Sequence, residues 1–165
     1  MTSSREDNLI AEIDKAFADV QLEDGVSLNM TEYNDSGGSV EHYADRAKRD
    51  ERMDWRRIDG KTLQKFTSTF SFTDLKGFRF YIPAYMIWAV RNHSISDSII
   101  STFTVYALNA DHYLFRDVPL TAWFNERQVA AMVKFLEFAC DNGDTLDDTV
   151  ARENLQKILT CLEKQ

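Results

Sequence analysis

Cysteine, proline and glycine are all scarce in this chain of 165 residues, which holds two cysteines, two prolines and six glycines. Two cysteines are too few for the disulfide scaffold of a small secreted domain. Cys140 and Cys161 fall on the apolar sides of predicted helices, so we expect both to be small buried hydrophobic residues. Neither is expected to form a disulfide or to act as a catalytic thiol. A hydrophobic core must therefore hold the fold, and a chain of this length can bury roughly 70% of its unfolded surface.

Long apolar runs and targeting signals are missing as well. The most apolar run, Phe78 to Val90, is interrupted by Arg79 and Pro83 and is shorter than the ~20 residues that cross a bilayer. The N-terminal sequence MTSSRED has no basic head followed by an apolar run, so no signal peptide is predicted. We expect a single cytoplasmic domain, residues 1–165, that does not act on membranes.

No motif of known catalytic or ligand-binding chemistry is present. His42, His93 and His112 are far apart in sequence, whereas zinc sites usually contain at least one close pair of ligands. The glycine pair within residues 36–39 lacks the preceding strand and the following Lys-Ser/Thr of a phosphate-binding loop. The sequence therefore predicts no catalytic residue, no metal site and no cofactor.

Negative charge is concentrated at the N-terminus. The formal net charge is −8, and residues 1–41 carry ten acids against Arg5 and Lys15. One interpretation is an acidic face that steers a basic protein partner, and the other is a solvated surface that keeps the protein soluble. Under the first interpretation, the partner-binding candidates are Glu6, Asp14, Glu23, Asp24, Glu32 and Asp35.

A basic cluster follows within residues 45–57, where six lysines and arginines are mixed with four acids. Nucleic-acid binding favours unopposed positive charge with interleaved aromatic residues. The mixed signs here favour ion pairs at helical spacing instead. No nucleic-acid partner is predicted.

Helical periodicity dominates the rest of the pattern, and it predicts a mainly α domain of about six or seven helices. Asn125 and Gln128 fit a capping box, and Asp59 fits the N-cap of a short helix. Residues 34–39 and 109–119 are predicted loops. Helices are expected over residues 5–20 and about 40–52, after Asp59, after Asp74, over a stretch ending at Leu108, over about 126–141, and from about 147 onward.

Two of these segments carry more specific expectations. The stretch from Ile99 to Leu108 is rich in β-branched and aromatic residues, which suits a strand. The spacing of Ile99, Phe103 and Tyr106 and a cap at Ser96 or Asp97 favour a helix instead. The loop after it should be anchored by buried Tyr113, Leu114 and Phe115, and the last helix should bury Val150, Leu155, Ile158, Leu159 and Leu162.

The segment from Phe70 to Arg91 is aromatic-rich and apolar on several sides, which predicts a central helix surrounded by neighbours. Pro83 lacks a backbone N–H and clashes with the carbonyl of Arg79, so this helix should be kinked or broken into two halves. A break inside a helical bundle can create a polar pocket. The alternative function is therefore an enzyme of unknown class with a pocket formed by Arg79, Tyr81, Tyr85 and His93.

The same segment carries a family resemblance. Residues 78–86 read FRFYIPAYM and follow Trp55 and residues 70–72, and residues 126–136 read ERQVAAMVKFL. This pattern resembles an uncharacterised family of small bacterial proteins with an F-R-F-Y-[LI]-P-A-Y core segment and a later E-x-x-A-x-x-x-F-L helix. The resemblance implies a compact bacterial cytoplasmic domain and assigns no catalytic residues.

The sequence thus favours a non-enzymatic, acidic, cytoplasmic protein-binding domain. An immunity or antitoxin-like protein that neutralises a more basic partner fits the size, the charge and the lack of a recognisable active site. A DNA mimic would need rows of carboxylates at phosphate-like spacing, whereas the N-terminal acids are interspersed with apolar residues that must face inward.

Overall fold

The computed structural model describes residues 4–164, and the regular secondary structure of that range is entirely helical, which confirms the mainly α class. Three helices, α2, α5 and α8, were not predicted, because two are single turns and α2 has no regular apolar period. The α-helices are α1 (Ser4–Ala16), α2 (Leu28–Ser36), α3 (Val40–Ala47), α4 (Gly60–Lys65), α5 (Thr69–Phe72), α6 (Leu75–Asn92), α7 (Ile100–Ala107), α8 (Leu120–Trp123), α9 (Glu126–Asp141) and α10 (Asp148–Glu163). Short 3-10 helices span Trp55–Arg57 and Tyr113–Phe115.

The helices group into two compact units. The first unit comprises the chain through Ala18 together with the chain from Tyr85 onward, and the second comprises Asp19–Ala84. Helix α6 contributes its first ten residues to the second unit and the remainder to the first. The expectation of a single domain stays a prediction.

In the second unit, the start of α6 is tied to the chain segment before α2. The Asp74 carboxylate accepts hydrogen bonds from Gly77 N at 2.8 Å and Val26 N at 3.1 Å, so Asp74 caps the start of this helix. The Thr73 hydroxyl donates to Val26 O at 3.1 Å. The Tyr81 hydroxyl, buried one turn further on, accepts from Leu28 N at 3.1 Å.

Other caps and turns of this unit are local. Asp59 caps α4 by accepting from Thr62 N at 2.9 Å, as predicted, and Leu63 and Phe66 then lie in the core. Residues 34–36 were predicted to be a loop, but α2 continues through them and ends at Gly37. Gly37 has a φ of +70°, a backbone conformation that side chains disfavour, so the turn begins there.

Helix α6 runs unbroken through Pro83, so the expected division into two halves is wrong. An interior proline costs about 3 kcal/mol. Every residue from position 81 to position 90 is buried, and burying one large apolar side chain stabilises a fold by about 1.5–3 kcal/mol. Burial along this stretch therefore outweighs the local cost of the proline.

In the first unit, α9 packs against both α1 and α10. The predicted capping box starts α9: Asn125 Oδ1 accepts from Gln128 N at 2.9 Å, and Gln128 Oε1 accepts from Asn125 N at 3.1 Å. Helix α1 ends at Ala16 and not near residue 20, yet Phe17 remains fully buried. Its ring contacts the edge of Phe124 at a centroid distance of 6.2 Å.

Helix α10 buries only part of the face predicted: Ile158 is fully buried, whereas Val150 and Leu155 are partly buried. Ala151, Asn154 and Ile158 point into the core, whereas Leu159 and Leu162 are exposed. The buried amide of Asn154 is satisfied because Nδ2 donates to Val105 O at 2.9 Å. This hydrogen bond joins α10 to α7 and satisfies a polar side chain on the buried face of α10.

Candidate functional site

The most unusual surface in the structure lies on α7. This segment is a helix, as its spacing predicted, but the large residues of its stripe face outward. Ile99 is 52% exposed, Phe103 39% and Tyr106 43%. We call these three residues the α7 stripe. The opposite side of the helix buries Ser101, Thr104, Val105 and Ala107.

Contacts from the rest of the first unit hold α7 in this orientation. Besides the bond from Asn154, the buried Thr104 hydroxyl donates to Ile100 O at 2.6 Å within the helix. Lys157 of α10 lies 3.3 Å from Asn109 Oδ1 and 2.9 Å from the carboxylate of Asp111, just beyond the end of α7. The buried Ser101 hydroxyl has no hydrogen-bond partner among the described residues.

The segments flanking α7 also differ from expectation. The N-cap of α7 is Ile99, which provides no side-chain hydrogen bond, and Ser96 accepts from Ser98 N instead of capping the helix. Ile95, just before it, is 80% exposed. In the loop after α7, Phe115 is buried as predicted, but the expected anchor Tyr113 is half exposed.

Tyr106 links the α7 stripe to the start of α10. Its hydroxyl donates to Asp147 Oδ2 at 2.8 Å, and Asp147 caps α10 by accepting from Val150 N at 3.1 Å. The hydrogen bond to Asp147 raises the pKa of Tyr106. The bond from Val150 N, followed by the bond from Tyr106, lowers the pKa of Asp147. The ring of Tyr106 lies 6.5 Å from that of Phe103, so the stripe has a fixed geometry at this end.

This link makes a prediction about the ionisation of Tyr106. Because its folded pKa is raised, the contribution of Tyr106 to stability is present below the ordinary tyrosine value near 10 and is lost as the pH rises through the folded value. Asp147→Asn keeps an N-cap side chain and removes the charge, so it should return the pKa of Tyr106 toward about 10. NMR titration of ring-labelled tyrosine, assigned with Tyr106→Phe, measures this, and the exposed Tyr113 is the internal control. Equal Tyr106 midpoints in the two proteins would show that the bond is not formed in solution.

The six predicted partner-binding acids are distributed over both units. In the second unit, Glu23 and Asp24 both pair with Lys76, whose pKa is raised chiefly by the hydrogen bonds to these two carboxylates. Glu32 lies 3.7 Å from Arg46. Three of the six acids are therefore engaged with neighbouring cations, which reduces the charge that they present to a partner.

The other three acids differ in exposure. Glu6 and Asp14, on α1 in the first unit, are partly buried, whereas Asp35, in the last turn of α2, is exposed. Glu6 Oε1 lies 3.7 Å from His93 Nε2. That the six acids act together as one binding face stays a prediction.

The residues proposed for a pocket at Pro83 have separate environments. Tyr81 and Tyr85 are almost completely buried, and Arg79 is partly buried. Arg79 and Tyr81 belong to the second unit, whereas Tyr85 and His93 belong to the first. Helix α6 is continuous at Pro83, so the helix break on which this pocket was predicted is not present. A pocket formed by these four residues stays a prediction.

His93 lies between the hydroxyl of Thr145 and the carboxylate of Glu6. This arrangement superficially resembles the nucleophile, base and acid of a catalytic triad. His93 Nδ1 lies 2.6 Å from Thr145 Oγ1, and its ring packs edge-on against Phe138. Thr145 Oγ1 donates its own proton to Asn142 O, so Nδ1 is assigned as the donor to the hydroxyl oxygen. The distance of 3.7 Å to Glu6 is too long for a hydrogen bond. His93 therefore connects α1 and the end of α6 to the loop before α10.

The two cysteines, expected in the core, are both only partly buried, and they are not bonded to each other. Burial is the main cause of the raised pKa of Cys140, which disfavours the reactive thiolate. Across residues 4–164, no three His, Cys, Asp or Glu side chains are grouped closely enough to hold a metal ion. No helix in this range combines the length and the apolar character that a membrane crossing requires.

Comparison with known proteins gives one match. A sequence model described as a family of unknown function, DUF6714, matches residues 5–158, which is most of the chain. No curated protein and no solved structure matches it.

Proposed function

Since the chain belongs to this family of unknown function, relatives supply no activity, and we propose from its own residues that it is a non-enzymatic, acidic protein-binding domain. Its partner is a more basic protein in a bacterial cytoplasm. Neutralisation of such a partner, as immunity proteins and antitoxins achieve it, fits a small chain that carries a strong excess of one charge.

The observation that carries this proposal is the charge balance at the surface. The formal net charge is −8, and eight of the 19 lysines and arginines pair with carboxylates of the same molecule. Ion pairs join carboxylates to Arg5, Arg46, Lys48, Arg56, Lys76, Lys134, Arg152 and Lys157. The excess of carboxylates is left to solvent, where a negative field attracts basic partners and repels nucleic acids.

The basic cluster illustrates this balance. Arg46 pairs with Glu32, Lys48 with Asp45, and Arg56 with Asp54, which also caps the adjacent 3-10 helix. The Arg52 guanidinium donates to the carbonyls of Glu23 and Gly25. Four of the six cations of residues 46–57 thus have partners within the second unit, which supports a protein partner over a nucleic acid.

Affinity capture from the source cell tests the proposal. The immobilised protein should retain one basic protein at 0.1 M salt, where the screening length is about 10 Å, and release it near 1 M, where that length is about 3 Å. A variant with exposed carboxylates replaced, Asp35→Asn with Asp97→Asn and Asp144→Asn, should retain less of it. The absence of any specific partner at low salt, or retention that salt does not weaken, would contradict the proposal.

The neutralising role has its own test once the partner is purified. Expression of the partner alone should slow the growth of a host cell, and co-expression of this protein should restore growth. The acid-to-amide variant should restore growth less well. If the partner has no effect on growth, protein binding stands and neutralisation does not.

A further inference from the structure

We propose that the α7 stripe is the docking face for the basic partner, and that the partner covers it with an apolar patch rimmed by lysine and arginine. This inference rests on the proposed function, because it assigns a place on the molecule and a surface chemistry to the same binding event. The stripe consists of Ile99, Phe103 and Tyr106 on one side of a single helix.

The polarity of α7 is the first argument. The helix buries Ile100 and Val105 together with Ser101, Thr104 and Ala107, and the Ser101 hydroxyl has no partner among the described residues. Two aromatic residues of the helix and the isoleucine at its N-cap are exposed. Burying a hydroxyl without a partner costs free energy, and leaving Phe103 in water forgoes a hydrophobic gain. An exposed apolar stripe of this kind is typical of a protein interaction site.

The rigidity of the stripe is the second argument. The Tyr106 hydroxyl is fixed by Asp147, and the backbone of α7 is fixed by the bond from Asn154 to Val105 O. A surface that is already ordered loses little conformational entropy on binding. Aromatic side chains held in this way are the residues that most often dominate the energy of protein interfaces.

The charges around the stripe identify the occupant. Helix α7 carries no charged residue, and the sequence contains no lysine or arginine between Arg91 and Arg116. Lys157 of α10 lies just beyond the end of α7, where it is paired with Asp111. Asp97 lies exposed two residues before Ile99, and Asp147 lies at the Tyr106 hydroxyl. A second copy of this chain would place acids against acids and has a net charge of the same sign, so like-charge repulsion disfavours it. A basic rim on a different protein complements these carboxylates.

Synthetic peptides test the stripe without knowledge of the partner. The probe is a fluorescently labelled amphipathic helix of leucine and lysine, about 18 residues or five turns long, and the comparison is the same pattern with glutamate in place of lysine. Fluorescence anisotropy should show binding of the lysine peptide and at least tenfold weaker binding of the glutamate peptide. Phe103→Ala and Tyr106→Ala should each weaken the lysine peptide about tenfold, the scale of an interface hot spot.

Leu162→Ala is the matched control, because the exposure of Leu162 on α10, 41%, lies between those of Phe103 and Tyr106, and this substitution should not affect binding. Equal binding of both peptides, unchanged affinity of Phe103→Ala, or equal loss in Leu162→Ala would overturn the proposal. So would a dimer in sedimentation that Phe103→Ala dissociates, since the occupant would then be a second copy. If the captured natural partner still binds Phe103→Ala with unchanged affinity, the docking face is wrong and the proposed function stands.

Discussion

Replacing Gly77 with alanine should destabilise the protein by about 3 kcal/mol, the upper end of the usual cost of overpacking. Gly77 lies in the first turn of α6, and a Cβ there would lie 1.9 Å from Thr73 Oγ1 and 2.8 Å from Val26 O. Glycine to alanine inside a helix otherwise gains up to about 1 kcal/mol. The close approach of the Val26 backbone therefore reverses the usual sign.

The neighbours of Gly77 have little room to relax. Moving the Thr73 hydroxyl gives up its bond to Val26 O, and the Asp74 carboxylate is already shared between Val26 N and Gly77 N. Urea unfolding followed by circular dichroism measures the change in the free energy of unfolding.

The matched control for Gly77→Ala is Gly143→Ala. A Cβ on Gly143 would lie 2.9 Å from Cγ and Oδ1 of Asp148 and 3.1 Å from its Cβ, and this partly exposed side chain has more freedom to move than the Val26 backbone. This variant should change the free energy of unfolding by less than about 0.5 kcal/mol. A Gly77→Ala protein as stable as the parent would show that the contact between α6 and the Val26 segment is not made in solution.

Phe124→Ala should cost about 4 kcal/mol, the middle of the range for removing a buried phenylalanine. Phe124 is 2% exposed and packs between two rings, Phe17 and Phe115, each at 6.2 Å in an edge-to-face arrangement. The substitution removes both ring contacts and leaves a cavity that fixed neighbours cannot fill.

Phe103→Ala is the counterpart on the surface and should change stability by less than about 0.5 kcal/mol. Thermal and urea unfolding of the two alanine variants should be measured together with their peptide binding. These measurements separate a phenylalanine that stabilises the core, Phe124, from one that binds a partner, Phe103. A large loss of stability in Phe103→Ala would mean that α7 buries its stripe in solution. A small loss in Phe124→Ala would mean that the aromatic cluster around Phe124 is loosely packed.

Local signals in the sequence predicted the helices well. The capping box at Asn125 and Gln128 and the cap at Asp59 depend on side chains and backbone within four residues, so the pattern alone identifies them. The break predicted at Pro83 was wrong because the outcome there depends on packing and not on local signals. Its local cost is outweighed by the burial of the surrounding residues, which the sequence does not display.

The direction of a helix face could not be predicted from spacing. Ile99, Phe103 and Tyr106 form a regular stripe, and periodicity shows only that such a stripe exists, not that it faces the core. The inner face of α7 includes Val105, whose carbonyl accepts a hydrogen bond from Asn154, 49 residues away in sequence. Contacts at such separations are not displayed by local spacing, and α10 likewise leaves Leu159 and Leu162 exposed.

Of the candidate site, the sequence predicted only the excess of negative charge. Composition showed an acidic N-terminal region, but it could not show which acids are neutralised by distant cations. Lys76 pairs with Glu23 and Asp24 across about fifty residues, and Lys134 of α9 pairs with Glu12 of α1 across more than a hundred. Pairing at such separations depends on the packing of helices, so the paired acids cannot be told from the free ones in the sequence.

Photocross-linking from position 103 is the most direct test of a binding domain that docks a basic partner on α7. A photoreactive phenylalanine replaces Phe103 in the source cell, and the same residue replaces Leu162 in a control strain. We predict one covalent adduct from position 103, containing a basic protein, and none from position 162. An adduct only from position 162, an adduct with a second copy of this chain, or no adduct from either position would contradict it.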